Sequence, residues 1–204
     1  MGQNQIIHAV MNNNKQANKS DQAEKARIGA VGENQVVSML LQHGWDAFNA
    51  NANIKNYKSI DIVCIKPNPN IPSKPQLALV QVKTCFEKNI PIGFTIEQCL
   101  KENYLEEHVM GPYVFVSASK SNGMWSFRYF IISRQQFIDL ARAGHEWYVN
   151  GYKREKPVSQ KSPAGFNLTW LEGKAEEANK NRIAFDNPLC GVRLEDAWEN
   201  IWKD

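Results

Sequence analysis

Long apolar runs are missing from this chain of 204 residues. No stretch approaches the roughly 18 consecutive apolar residues that a membrane span requires. Only four cysteines occur, and they show neither CxxC spacing nor the Cys/His spacing of a zinc site. No signal-peptide pattern precedes them, so reduced thiols are expected rather than disulfides. We therefore expect a soluble, cytoplasmic protein without structural zinc.

An excess of charge of either sign is also absent. The chain has 24 Lys and Arg against 21 Asp and Glu, which gives a formal net charge of +3. This balance permits an anionic partner without indicating one. The length suits one domain with a proper core and is short for two. We expect a polar arm over 1–25, either mobile or a loosely packed short helix, and one domain over 26–204, with its core at about 28–143 and a C-terminal extension over 144–204.

Hydrophobic periodicity predicts the main elements of that core. Apolar residues recur at helical spacing from Ile28 to Leu41, and Gly44 ends this helix. A run of turn formers over 66–75 is expected to join two strands as a hairpin. The segments with strand patterns are 45–50, 59–65, 76–84, 113–119 and 125–133.

The remaining elements are predicted from breakers, caps and composition. A linker with Pro91 and Gly93 should lead into a helix over 96–108, and Ser133 should cap a helix over 134–143. Beyond these the pattern weakens to a basic loop, a short strand FNLTW and a charged helical stretch. A C-terminal segment with Leu194, Trp198, Ile201 and Trp202 should dock onto the core. The order predicts an α/β fold, with a mixed central sheet flanked by helices.

Four polar side chains stand out against this background. Gln81 and Lys83 share one face of the predicted strand VQVKT, Asp61 lies in the predicted strand SIDIVCI, and Glu33 lies on the first long helix. Each has an ordinary explanation: a solvent-facing aspartate, polar residues at a sheet edge, and a glutamate that complements the helix dipole. The combination on helix, strand and strand is harder to explain in this way.

The segments GAVGENQVVSMLLQHGW, SIDIV and VQVKT together resemble the PD-(D/E)XK nuclease superfamily, which includes many restriction enzymes and Holliday-junction resolvases. The resemblance covers about residues 28–132 and implies a restriction-endonuclease-like αβββαβ core. It implies that Asp61 is the principal metal-ligating carboxylate and Lys83 the motif lysine. Glu33 matches a helix carboxylate that some branches add. Gln81 departs from the usual Glu or Asp, although several branches, including the Mrr-like restriction enzymes, also have Gln-x-Lys.

The chemistry of these residues agrees with the implied activity. Hydrolysis of a phosphodiester needs a nucleophilic water and relief of developing negative charge, both of which Mg²⁺ or Mn²⁺ can supply. Asp61, Glu33, the Gln81 amide oxygen and the Val82 carbonyl are hard oxygen donors of the kind Mg²⁺ binds. We expect Lys83 to act electrostatically rather than as a base, because an ordinary lysine has a pKa of about 10.4.

The expected function is metal-dependent hydrolysis of nucleic acid, most simply by a DNA endonuclease of restriction, repair or defence type. The alternative is a catalytically inactive nuclease-fold protein that binds nucleic acid or protein. A third class, an ordinary α/β interaction domain, would be favoured if Asp61 and Lys83 pointed to opposite sides. The sequence leaves open whether the chain forms a homodimer.

Other residues give weaker signals. Basic side chains that could contact phosphates equally suit a solvated loop; they are Lys58, Lys153, Arg154 and Lys156. Trp125, Phe127 and Tyr129 alternate on one strand and are expected in the core rather than on a base-stacking platform.

Overall fold

A computed structural model describes residues 3–51, 60–86, 88–153 and 156–203, with side chains described from residue 22 onward. The helices are α1 (Gln3–Gln42), α2 (Ile96–Leu100), α3 (Tyr104–His108), α4 (Arg134–Asn150) and α5 (Leu168–Leu171), and a 3₁₀ helix spans Trp198–Trp202. The strands are β1 (Asp46–Asn49), β2 (Ile62–Lys66), β3 (Gln76–Cys85), β4 (Asn89–Thr95), β5 (Tyr113–Ser121), β6 (Met124–Ile132) and β7 (Pro163–Asn167).

A mixed five-stranded sheet forms the centre of the molecule, in the order β1-β2-β3-β5-β6. The central strand β3 is antiparallel to β2 and parallel to β5. The turn-rich segment after β2 makes the expected hairpin, and Asn122 and Gly123, both at positive φ, make the turn between β5 and β6. The predicted class, an α/β fold with a mixed sheet and flanking helices, is confirmed.

One face of the sheet packs against α1. Val36 and Leu40 are fully buried there with Ile62 and Val80 of β2 and β3. The helix ends before Gly44, as predicted, where a φ of 76° favours glycine. Its start differs from the prediction: one continuous helix begins at Gln3 instead of near residue 26. The physical reason is that 3–28 contains neither proline nor glycine, so no residue in it opposes helix formation strongly.

The other face packs against α4 and a separate two-stranded sheet of β4 and β7. The predicted linker around Pro91 and Gly93 is therefore wrong, because this segment is β4. Pro91 pairs with Gly165 of β7, and the register shifts between Pro91 and Thr95, where Gly93 has a φ of 89°. A strand with one neighbour and a bulge tolerates both breakers.

Two predicted helices also differ in their boundaries. The helix expected over 96–108 is divided into α2 and α3, because Asn103 adopts a left-handed φ of 57°. Ser133 caps α4 as predicted, accepting from the Gln136 N–H, but the helix continues past Gly144. Gly144 does not end the helix. It is glycine because a β-carbon at this position would overlap the Trp170 ring.

Of the three predictions for the C-terminal part of the chain, one is confirmed and two are wrong. Leu194, Trp198 and Ile201 are buried, so the predicted docking of this segment is confirmed. The charged stretch after α5 forms turns and bridges rather than a helix, including the pairing of Glu176 with Phe185. FNLTW is divided at Asn167 between β7 and α5, where Asn167 caps the helix.

The aromatic residues of β6 are only partly in the core. Tyr129 is buried, but Trp125 is 39% exposed. Across the described ranges of the chain, none of the helices has the length and apolar character needed to cross a membrane.

The contact between α1 and β3 gives a stability prediction. A β-carbon at Gly32 would overlap the Thr84 side chain, whereas one at Gly29 would meet nothing within 4 Å. Gly32→Ala should therefore lower the free energy of unfolding by about 1–3 kcal/mol through overpacking. Gly29→Ala, the matched control, should raise it by up to about 1 kcal/mol because alanine favours helix. Urea denaturation of both variants checks this, and equal effects would contradict the close approach.

Candidate active site

Asp61 lies immediately before β2 and continues its pairing with β3. Its N–H donates to the Val80 carbonyl at 3.0 Å, next to the last paired residues Ile62 and Val80. This register sets Asp61 opposite Gln81, with both side chains on the same face. Ile60 and Ile62 point to the other face and are buried, as the alternation in the sequence predicted.

Three donors fix the Asp61 carboxylate. Its Oδ2 atom accepts from Gln81 Nε2 at 2.7 Å and from the Val82 N–H at 2.8 Å. Its Oδ1 atom accepts from Asn51 Nδ2 at 3.0 Å. Hydrogen bonds to an ionised carboxylate are stronger than neutral ones, so they hold the orientation of Asp61.

Glu33 reaches the same cleft from α1. Its Oε2 atom accepts from Asn49 Nδ2 at 2.9 Å. Burial raises the pKa of Glu33; the hydrogen bond from Asn49 opposes this rise, the nearby charge of Asp61 adds to it, and that of Lys83 opposes it. Glu33 is therefore close enough to Asp61 and Lys83 to feel both charges.

Asn49 and Asn51 connect the two carboxylates. The Asn49 amide donates to Glu33 while its Oδ1 atom accepts from the Asn51 N–H at 2.8 Å. The Asn51 amide then donates to Asp61. One chain of hydrogen bonds thus runs from Glu33 to Asp61 through the end of β1. Sequence reasoning missed both asparagines, although their alternation in FNANAN, where β1 ends, was a usable signal.

Lys83 lies on the same face of β3 as Gln81. Pairing with β5 sets Gln81 beside Tyr113 and Lys83 beside Phe115, two buried aromatic residues. Burial lowers the pKa of Lys83, and the carboxylates of Asp61 and Glu33 oppose that change. The site therefore combines a half-buried ammonium, two carboxylates, and the neighbouring aromatic residues Tyr113 and Phe115 of β5.

Gly93 of β4 is a third residue that sequence reasoning did not assign to the site. A β-carbon at this position would lie 3.9 Å from Lys83 Nζ. Its φ of 89° also strongly favours glycine. Gly93 therefore lies beside the Lys83 side chain, and its positive φ rather than a lack of space favours glycine at this position.

The donor atoms suit a hard divalent cation. Glu33 and Asp61 are linked through Asn49 and Asn51 and are near enough for their charges to interact. The Val82 carbonyl points to the same side of β3 as the Val82 N–H, which donates to Asp61. The Gln81 side-chain amide directs its Nε2 atom toward Asp61. Its Oε1 atom is the neutral oxygen of the same group that could bind a cation. Within the part of the chain that the structure describes, no three His, Cys, Asp or Glu side chains form a metal-binding group. An ion here would have two carboxylates and neutral oxygens as ligands.

Of the predicted phosphate-contacting residues, the structure describes Lys153 and Lys156, and it does not bring these two into the cluster. Lys58 and Arg154 lie outside the described residues. Lys153 and Lys156 are exposed, and the Lys153 N–H donates to the Asn181 carbonyl. Their role in binding stays a prediction.

The raised pKa of Glu33 gives a pH-dependent prediction. A folded-state pKa above the unfolded value of about 4.5 means that the stability associated with this carboxyl is full below that pH and is lost as pH rises through the folded-state pKa. Glu33→Gln cannot ionise and should therefore raise the melting temperature more at pH 8 than at pH 4. Melts in the presence of a chelator measure this difference.

The matched control is Glu24→Gln, since Glu24 is exposed on the same helix. It should shift the melting temperature little at either pH. A Glu33→Gln variant that is less stable than the wild type at pH 8 would contradict the assignment of Glu33 as a carboxylate that is costly to ionise.

Comparison with protein-family models, with curated proteins and with solved structures gives no match. The convergence of Asp61, Gln81, Lys83 and Glu33 is consequently the strongest observation that bears on function.

Proposed function

We propose that this protein is a metal-dependent nuclease that hydrolyses phosphodiester bonds, most simply a DNA endonuclease of the PD-(D/E)XK type. The observation that carries the proposal is that Lys83 shares one face of β3 with Gln81, which donates a hydrogen bond to Asp61 at the end of the β2–β3 pairing. The charges of Asp61 and Glu33 both act on Lys83. The order of these residues along the chain, on a helix and two adjacent strands, supports the same assignment.

The ligands of the proposed Mg²⁺ or Mn²⁺ ion are Asp61, Glu33, the Val82 carbonyl and the Gln81 amide oxygen. When bound, the ion supplies positive charge that offsets the charge developing on the phosphate oxygens. Gln81 also donates to Asp61, which makes it a positioning residue as well as a source of a neutral oxygen. Asn49 and Asn51 hold the carboxylates of Glu33 and Asp61.

Lys83 supplies the second positive charge. Partial burial removes water from around its ammonium, so its interaction with a nearby phosphate is stronger than it would be in bulk solvent. Burial lowers the pKa of Lys83 and the charges of Asp61 and Glu33 oppose that change. We assign Lys83 an electrostatic role because a base role would need a pKa far below the ordinary value of about 10.4. The ammonium can orient the attacking water and stabilise the transition state as negative charge builds up.

One observation favours a second candidate function, a nucleic-acid-binding module without catalysis. The Gln81 Nε2 donor occupies Asp61 Oδ2, and Gln81 adds no negative charge where the superfamily usually has a carboxylate. A site with two carboxylates attracts a divalent ion less strongly than a site with three. Cleavage assays separate the two functions.

Single-turnover cleavage of supercoiled plasmid and of single-stranded DNA, with Mg²⁺ or Mn²⁺, tests the proposal. Lys83→Ala should reduce the cleavage rate by a factor on the order of 10² to 10³, as does removal of one well-placed transition-state contact. DNA binding without divalent ions should change little, because phosphate contacts elsewhere also contribute to affinity.

Two further variants serve as controls. Asp61→Asn should abolish cleavage, whereas Lys74→Ala, at an exposed lysine in the β2–β3 hairpin, should leave the rate unchanged. Thermal melts establish that each variant is folded. DNA binding without any cleavage by the wild type would favour the binding module, and full activity of folded Lys83→Ala would overturn the role assigned to Lys83.

A further inference from the structure

An exposed aromatic surface lies where the C-terminal end of β3 meets the β5–β6 hairpin. It consists of Phe86 after β3 and Trp125 on β6, which are 45% and 39% exposed. Their ring centroids are 4.9 Å apart. Phe127 continues the surface, since its ring lies 6.4 Å from Trp125 at an interplanar angle of only 14°. We call these three residues the aromatic platform.

The strand register determines the face on which the platform lies. Ala118 pairs with Phe127 and Lys120 pairs with Trp125, on the same face as the buried pair Val116 and Tyr129. This is the face that α1 covers nearer the centre of the sheet. The platform is the uncovered continuation of a packed surface, and two of its rings remain available to a partner.

The charge around the platform favours an anionic partner. Lys120 Nζ lies 5.2 Å from the centre of the Trp125 ring. The hairpin that carries Trp125, residues 113–132, contains no Asp or Glu. Stacking surfaces for unpaired bases combine exposed aromatic rings with nearby cations that contact the phosphates. Protein-binding apolar patches need no such cation.

We infer that the aromatic platform binds unpaired bases of a polynucleotide by stacking, with Lys120 contacting the backbone phosphates. The inference rests on the proposed function for the choice of a nucleic acid as partner. Phe86 follows Lys83 by three residues, which corresponds to about 10 Å along an extended chain. The platform and the candidate active site therefore lie near the same end of β3, on opposite faces of the sheet, and one bound strand can reach both around that end.

The consequence is a preference for substrates with a single-stranded segment. Bases in an intact duplex are stacked on each other and offer the platform no free face, whereas unpaired bases do. A loop, flap or frayed end would be held at the platform while a phosphodiester bond nearby enters the cleft of Asp61 and Lys83.

Fluorescence anisotropy with a fluorescein-labelled oligothymidylate and with a duplex of equal length tests this inference. A chelator in the buffer prevents cleavage. Trp125→Ala should weaken binding of the single strand at least about fivefold and duplex binding much less, because stacking is lost for the unpaired bases alone. Trp125→Phe should retain most of the affinity. Lys120→Ala should reduce the salt dependence of single-strand binding by a log–log slope of about 0.7.

Leu77→Ala, which removes an exposed apolar side chain from the opposite end of β3, is the matched control and should have no effect. Unchanged single-strand affinity of Trp125→Ala, equal loss for single strand and duplex, or no oligonucleotide binding by the wild type would each overturn the inference. The last result would instead favour a protein as the partner of this surface. Trp125-dependent binding by a wild type that cleaves nothing would support the platform and contradict the proposed nuclease function.

Discussion

The hydrogen bonds between the Asp61 carboxylate and β3 are the interaction on which the candidate site depends. Asp61 Oδ2 accepts from both Gln81 and the Val82 N–H, directly beyond the last β2–β3 pair. These bonds align Asp61 with the strand that carries Lys83. The close approach of Gly32 to Thr84 then brings Glu33 to the same place, because the two residues are neighbours on α1. One strand end and one helix contact thus determine the positions of all the charged groups.

These charged groups are held at an energetic cost. Burial raises the pKa of Glu33 and lowers that of Lys83, so burial disfavours the charged form of each. The charges of opposite sign reduce this cost without removing it. Partly buried ionisable groups in a cleft are typical of functional sites, since a structural role alone is served more cheaply by apolar residues. The two carboxylates and one ammonium leave the site negative. A divalent cation and one phosphodiester group would bring its net charge to zero.

Much of this arrangement is predictable because strand periodicity is a strong constraint. Alternation alone sets Gln81 and Lys83 on one face, and the burial of Ile60 and Ile62 fixes the direction of Asp61. Asn51, in contrast, lies in a turn after β1 where periodicity gives no direction. β4 was missed because Pro91 and Gly93 disfavour a central strand but not a bulged one with a single neighbour. The exposure of Trp125 was also missed, because alternation along β6 gives the face of a side chain but not whether that face is covered.

The most direct test of the account is the position of a divalent ion in crystals of the wild-type protein soaked in MnCl₂, located by its anomalous scattering. We expect a peak within about 2.5 Å of carboxylate oxygens of both Asp61 and Glu33, beside the Val82 carbonyl. The peak should be absent from crystals of Asp61→Asn soaked in the same way. Manganese bound only at other positions, or no anomalous peak at Asp61 in fully soaked wild-type crystals, would contradict the assignment of this cleft as a metal-dependent catalytic site.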